Sequence, residues 1–243
     1  MAEIRTLQYV SWDDFVRSLR LDLFDDQPFR RGLYLFRGVS SEDYQLTSSF
    51  DRVFGVRANR QSLFRELLDA FREESEGQAP AGVLDDEVQT LALGQHYGLP
   101  TRLLDWTDSP YVAAFFAFKG ALRHHPLDAR RVAVWVLHRA APVWSAEFGV
   151  EIVSVPPIGN LRIRNQAGRF TIARTPFATL EEYVEHASYD GTALTKMVIP
   201  AREAERSLAD LAMMGITPAR MFPDLVGAAE AAEMRVLLNR EYP

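Results

Sequence analysis

Two periods organise the chain. A spacing of three and four residues puts apolar side chains on one side of a helix. Phe15, Val16, Leu19 and Leu23 follow it after Ser11-Trp12-Asp13-Asp14, where Ser11 reads as the cap and the aspartates suit the first turn. Leu63, Phe64, Leu67, Leu68 and Phe71 repeat the pattern over 59–74. Residues 85–93, 179–187, 207–214 and 226–238 read as further helices, and Gly215 supplies a left-handed stop. Short apolar runs predict strands at 33–37, ending at Gly38, and at 131–138, 150–155, 170–172 and 194–199. Residues 1–10 read as a short strand or lead-in, Asp25 to Pro28 and 75–82 as loops, and Thr47-Ser48-Ser49 as a polar loop. Helices and strands in mixed order predict an α+β protein. The expected architecture is a helical lead-in over 1–29 and a single mixed domain over 30–243, its central sheet split by helices.

One stretch departs from this regularity. In 91–118, LALGQHYGLPTRLLDWTDSPYVAAFFAF, polar side chains lie directly before a helix that is apolar almost all round. Such a helix is buried. Pro110 fits its first turn and Asp108 or Ser109 can cap it. The polar groups ahead of it are thereby held near the core, where they are stable only when paired. They form either a structural network or a site.

Composition narrows the function classes. The 243 residues, 47% hydrophobic and 25% charged, are those of an ordinary globular protein. A net charge of −6 disfavours a broad nucleic-acid surface, though it leaves room for a local basic groove. The absence of cysteine excludes disulfides and thiol catalysis. None of the five histidines (His96, His124, His125, His138, His186) makes a helical zinc motif, so no metal is expected. The start, MAEIRTLQYVSWDDF, has no secretory pattern and no run is long enough to span a bilayer; the expectation is a cytoplasmic protein without a membrane partner.

Candidate chemistry sits at a few positions. Arg37 leaves a buried strand beside Gly38, which lets a ligand or another backbone approach. Arg37 serves either as an anion clamp or as the partner of a carboxylate such as Asp105. Gln95 and His96 either contact a ligand or satisfy the structure. Asp105 and Thr107 flank Trp106, a set that suits a nucleotide or nicotinamide pocket with Trp106 stacking; alternatively Asp105 caps the next helix and Trp106 fills the core. The basic run from Arg162 to Arg169 is a solvated loop or a phosphate or RNA contact, with Phe170 as a stacking face. Glu181, Glu182, Glu203 and Glu205 read as solvated charge.

These motifs resemble the FRG-domain family, named for the strand-end triplet present here as Phe36-Arg37-Gly38. Its second signature is similar to the run from Gln95 through Thr107, continuing into Ser109-Pro110 and the Ala-Phe-Phe-Ala helix. Two weaker signatures resemble the run from Asn165 to Phe170 and the segments Gly215-Ile216-Thr217 and Leu225-Val226-Gly227. The family is widespread in bacteria and phages, and the resemblance implies a toxin or phage-defence setting with a macromolecular acceptor and an antitoxin or sensor partner.

A looser resemblance is to ADP-ribosyltransferases of the arginine–serine–glutamate type. It implies an ADP-ribosyltransferase-like fold with NAD as substrate. Arg37 resembles the first element, Trp106 to Pro110 the second, and Gln166 stands where a glutamate is usual. The resemblance gives catalytic roles to Arg37, Asp105, Thr107 and Gln166. It gives nucleotide contacts to Gly38, Gln95, His96, Thr101, Arg102, Trp106 and Phe170. A neutral Gln166 can bind ribose hydroxyls but offers no negative charge, so either Asp105 supplies the charge or the reaction is not a transfer. The rival expectations are a non-catalytic nucleotide- or protein-binding module and an RNA-directed enzyme.

Overall fold

The computed structural model describes residues 2–238 except 26, 27, 29, 31, 125 and 156–167. The described chain builds one open seven-stranded mixed sheet. Its strands are β1 (Ala2–Gln8), β2 (Tyr34–Val39), β3 (Leu103–Thr107), β4 (Arg131–His138), β5 (Val150–Val153), β6 (Gly168–Ala173) and β7 (Gly191–Pro200). Their order across the sheet is β1-β7-β4-β2-β3-β6-β5. Only β1 and β7 run parallel; every other neighbouring pair is antiparallel. The lead-in expected over 1–29 thus places β1 at one edge of the same sheet.

Alternation along the strands fixes which side chain meets which layer. On β4, Val132, Val134 and Val136 enter a core with α1 (Trp12–Phe24), α5 (Pro110–Ala121) and a later helix at Ala204–Met213. The intervening Trp135 and Leu137 turn to a second core with Leu104, Trp106, Leu194 and the helix Leu180–Glu185. A third core lies under α2 (Ser49–Phe54), α3 (Arg60–Glu74) and α4 (Glu87–His96), where Phe50, Phe64, Leu68 and Leu91 cover Leu103, Phe170 and Ile172.

Most periodicity readings hold. Ser11 caps α1 by accepting from Asp14 N, and Phe15, Leu19 and Leu23 are buried. Ser109 caps α5, with Pro110 in its first turn. Gly215 has the left-handed φ of 79° expected after its helix. Two elements differ. The polar loop at 47–49 leads into α2, whose cap Ser48 accepts from Asp51 N. The apolar pair Leu103-Leu104 opens strand β3. Three glutamates expected in solvent hold backbone amides instead: Glu181 accepts from Leu46 N at 3.0 Å, Glu182 from Ala178 N at 2.9 Å and Glu203 from Trp12 N at 3.0 Å. Burial raises the pKa of Glu181, and the Leu46 amide opposes that rise.

The crossover that matters most is β3–α5–β4. Strands β3 and β4 flank β2, so α5 must pass over β2 to connect them. Gly38 admits it: a Cβ there would lie 1.8 Å from the carbonyl oxygen of Ala113. Of the two approaches named for Gly38, that of another backbone is present, supplied by α5. No helix among the described residues is long and apolar enough to cross a membrane.

His138, at the end of β4, gives the fold a pH limit. Its Nε2 shares a 2.8 Å hydrogen bond with Thr195 Oγ1, and its ring meets the Tyr34 ring edge-on. Burial, helped by the charge of Arg5, lowers its pKa from 6.5 to about 4. The fold therefore holds the imidazole neutral while the unfolded chain takes up a proton near 6.5. This contribution to stability is complete above pH 6.5 and is lost as pH falls towards 4. Thermal unfolding of His138→Gln beside the parent protein should show a smaller loss of Tm across that interval; equal losses would count against the assignment.

Candidate functional site

The sheet opens between β2 and β3. These strands share a single registered pair, Phe36 opposite Thr107, whereas β2 and β4 stay paired from Tyr34–His138 to Val39–Ala133. Arg37 bridges the divergence. Its Nη1 donates to the Asp105 carbonyl at 2.8 Å and lies 3.5 Å from Asp105 Oδ2. The side chain of Arg37 is 21% exposed and that of Asp105 is 61% exposed. The ion pair foreseen for Arg37 thus exists, but its carboxylate faces solvent. Asp105 caps no helix; that task falls to Ser109.

Around this pair lies a cleft of about 190 Å³. Ser49 and Arg52 reach it from α2, Gln95 from the last turn of α4, and Leu99 and Leu103 supply its apolar lining. Gln95 Nε2 donates to Asp105 Oδ1 at 2.7 Å, and the buried Thr101 hydroxyl bonds Gln95 Oε1. Two guanidinium groups and one carboxylate leave the cleft with an excess of positive charge. Burial lowers the pKa of Arg37, Asp105 counters it, and the charge of Arg52 adds to the lowering. An anion entering between the arginines would relieve that repulsion; Nη1 of Arg37 already donates to the Asp105 carbonyl and Nη1 of Arg52 to the Thr47 carbonyl, which fixes both guanidinium groups at the rim.

A second, buried ion pair holds α2 in place. Arg60 Nε donates to Asp51 Oδ1 at 2.6 Å, and Arg60 Nη1 reaches the carbonyls of Thr175 and Phe177 at 2.9 and 3.0 Å. Ser48 Oγ donates to Asp51 Oδ2 at 2.7 Å. Arg102, only 2% exposed, donates to Gln61 Oε1 and the Thr175 carbonyl and lies over the Phe64 ring. Burial, aided by the nearby Arg60, lowers its pKa to about 10.

Of the residues singled out in the sequence, the structure brings together Arg37, Gln95 and Asp105, with Thr101 directly behind them. It places the others elsewhere. Trp106 is buried among Leu35, Leu104 and Trp135, and its Nε1 donates to Thr171 Oγ1 at 3.0 Å; no ring face is open for stacking. Phe170 is likewise enclosed by the helices over β6. Thr107 Oγ1 accepts from Ser109 N at 3.2 Å and shapes the turn into α5. Arg102 braces α3. His96 is half-buried outside the cleft lining, its ring edge-on to Tyr97. Gln166, and the basic run up to residue 167, lie outside the described residues.

Ser49 and Arg52 were not foreseen. A signal existed: Ser48, three residues ahead of Asp51 and followed by Phe50, is a helix start in sequence terms, and it would have carried Arg52 onto a helix. No group of three or more His, Cys, Asp or Glu among the described residues could hold a metal ion.

Residues 32–125 match the family model of the FRG domain. The match takes in Arg37, the whole 95–107 motif and α5, and ends before β4. No curated protein and no solved structure matches the chain.

The two aspartate–arginine pairs should respond differently to substitution. Asp105→Asn, at an exposed pair, should change unfolding free energy by less than about 1 kcal/mol. Asp51→Asn leaves a buried guanidinium without its counter-charge and should cost about 3–5 kcal/mol. Urea unfolding of both variants tests this; similar losses would mean that Asp105 is part of the scaffold.

Proposed function

Taking the FRG domain at residues 32–125 as the premise, we propose that its cleft binds a nucleotide and uses NAD as substrate. The proposed reaction breaks the bond between nicotinamide and ribose. The supporting observation is the cluster at the open β2–β3 junction: Arg37 and Arg52 across the cleft from one another's charge, with Asp105 exposed beside them and held by Gln95. In this reading the arginines take the phosphate groups. Asp105 turns its negative charge to the ribose C1′, which becomes oxocarbenium-like as nicotinamide departs with the bonding electrons. A water or a nucleophile on a macromolecule forms the new bond at C1′, and its proton passes to Asp105. The products are nicotinamide and either ADP-ribose or an ADP-ribosylated acceptor.

A cleft of about 190 Å³ is smaller than the roughly 300–1,000 Å³ of a drug-sized pocket. It houses one ring or one phosphoribosyl part of a dinucleotide, and the remainder lies across the open rim. That size also favours the second reading, a module that binds a nucleotide without turning it over. The ADP-ribosyltransferase-like fold in this reading rests on the resemblance of Arg37 and of the run from Trp106 to Pro110. The wider setting rests on the family resemblance: a bacterial cytoplasmic effector in toxin or phage defence, with a macromolecular acceptor and an antitoxin or sensor partner.

The test combines thermal stability with nicotinamide release in the same samples. NAD at about 100 times its Kd should raise Tm by several degrees, the equivalent of about 2.7 kcal/mol, and free nicotinamide should accumulate. Asp105→Asn should keep the shift and lose at least about a hundredfold in release; Arg37→Gln should lose the shift. A shift without release in the parent protein selects the binding module, and neither signal in folded protein rejects both readings.

A further inference from the structure

Thr101 is fully buried in the turn between α4 and β3, and each of its polar atoms has a partner. Its backbone N–H donates to Ser49 Oγ at 2.9 Å. Its carbonyl accepts the Ser49 hydroxyl at 3.1 Å and the Phe50 N–H at 3.0 Å. Its hydroxyl oxygen accepts the Leu103 N–H at 3.3 Å and is bonded to Gln95 Oε1. One residue thereby ties together α2, which carries Arg52, α4, which carries Gln95, and β3, which carries Asp105.

Chemistry fixes the direction of these bonds. An ionised carboxylate only accepts hydrogen bonds. The Gln95 group 2.7 Å from Asp105 Oδ1 is therefore its NH₂, and the amide oxygen must face Thr101. One lone pair of the Thr101 hydroxyl is taken by Leu103, and its proton points to the Gln95 oxygen. No rotated amide satisfies all three partners at once.

We infer that Thr101 is a positioning residue for the cleft: acting through the Gln95 amide, it sets the direction in which Asp105 presents its carboxylate. Arg37 supplies the other hold, from its Nη1 to the Asp105 carbonyl. Without the Thr101 hydroxyl the Gln95 amide loses its reason to keep its oxygen inward. A half-turn would set that oxygen against the Asp105 carboxylate, so the unpartnered amide leaves for water instead, and the carboxylate, already 61% exposed, loses its hold and swings into solvent. The kinetic consequence rests on the NAD reading of the cleft; the orientation of Gln95 does not.

The experiment uses the full chain with Thr101→Val, which removes the hydroxyl, and Thr101→Ser, which keeps it. The Gln95 side-chain amide signals in a ¹⁵N spectrum, assigned by their loss in Gln95→Met, report the orientation without any turnover. In the parent protein and Thr101→Ser the two amide protons should be well separated and exchange slowly with water. In Thr101→Val they should converge and exchange faster. Unchanged Gln95 signals in folded Thr101→Val would overturn the inference, whatever the activity. In nicotinamide release, Thr101→Val should lower kcat by on the order of tenfold or more while KM stays within about twofold, because the phosphate-binding arginines are untouched. Thr101→Ser should restore kcat, and adding Thr101→Val to Gln95→Met should cost nothing further. Full additivity, or a kcat unmoved while the Gln95 signals respond, would overturn the positioning role. A parent protein that releases no nicotinamide would reject the NAD reading, and the Gln95 spectrum would still decide the orientation.

Discussion

The passage of α5 over β2 is the constraint on which the cleft depends. The helix joins two strands that lie on either side of β2, so its backbone must cross that strand closely, and Gly38 leaves the space for it. The helix begins at Pro110, one short turn beyond Thr107, the residue that pairs with Phe36. Beyond that pair β2 and β3 diverge. A sheet that parts within its own interior exposes backbone groups that a ladder would otherwise use. Here the guanidinium of Arg37 takes up the carbonyl of Asp105 across the opening. The same arginine is thereby fixed at the mouth of the cleft, so one side chain satisfies the fold and places a charge for a ligand.

Two aspartate–arginine pairs serve different ends. Asp51 and Arg60 are both buried, bonded in two places, and further secured by the carbonyls of Thr175 and Phe177. In a low-dielectric setting such a pair resists separation, and it fixes α2 against the segment after β6. Asp105 and Arg37 are looser, 3.5 Å apart, with the carboxylate open to water. A carboxylate in that position can exchange its partners for those of a ligand at little cost. The rigid pair holds the helix that carries Ser49 and Arg52; the open pair faces them.

Much of this was legible in the sequence, and the reasons differ by element. Helix α1 and strand β4 announce themselves because their periods are local and each period is dictated by a single buried face. The 95–107 motif was conspicuous because polar residues ahead of an apolar helix must be paired somewhere. Strand β3 was not legible as a strand: five residues, with Asp105 among them, are too short for a period to emerge. Trp106 and Phe170 looked like stacking surfaces because an aromatic beside polar residues reads the same whether it faces a ligand or a core. Glu181, Glu182 and Glu203 looked solvated because the amides they cap belong, in two cases, to residues over a hundred positions away.

The sequence by itself determined the class of the fold, the presence of most of its elements and the stretch in which the candidate site would lie. Those features follow from local preference and from the burial of one face at a time. Only the tertiary structure decided strand order, the parting of β2 from β3, and which polar residues would share a cleft. It joined Arg37 to Asp105, brought Arg52 and Ser49 beside them, and turned Thr101 into the point where three elements meet. It withdrew Trp106, Thr107 and Arg102 into the interior. Those outcomes depend on which faces meet across long sequence separations, and no period along the chain encodes that.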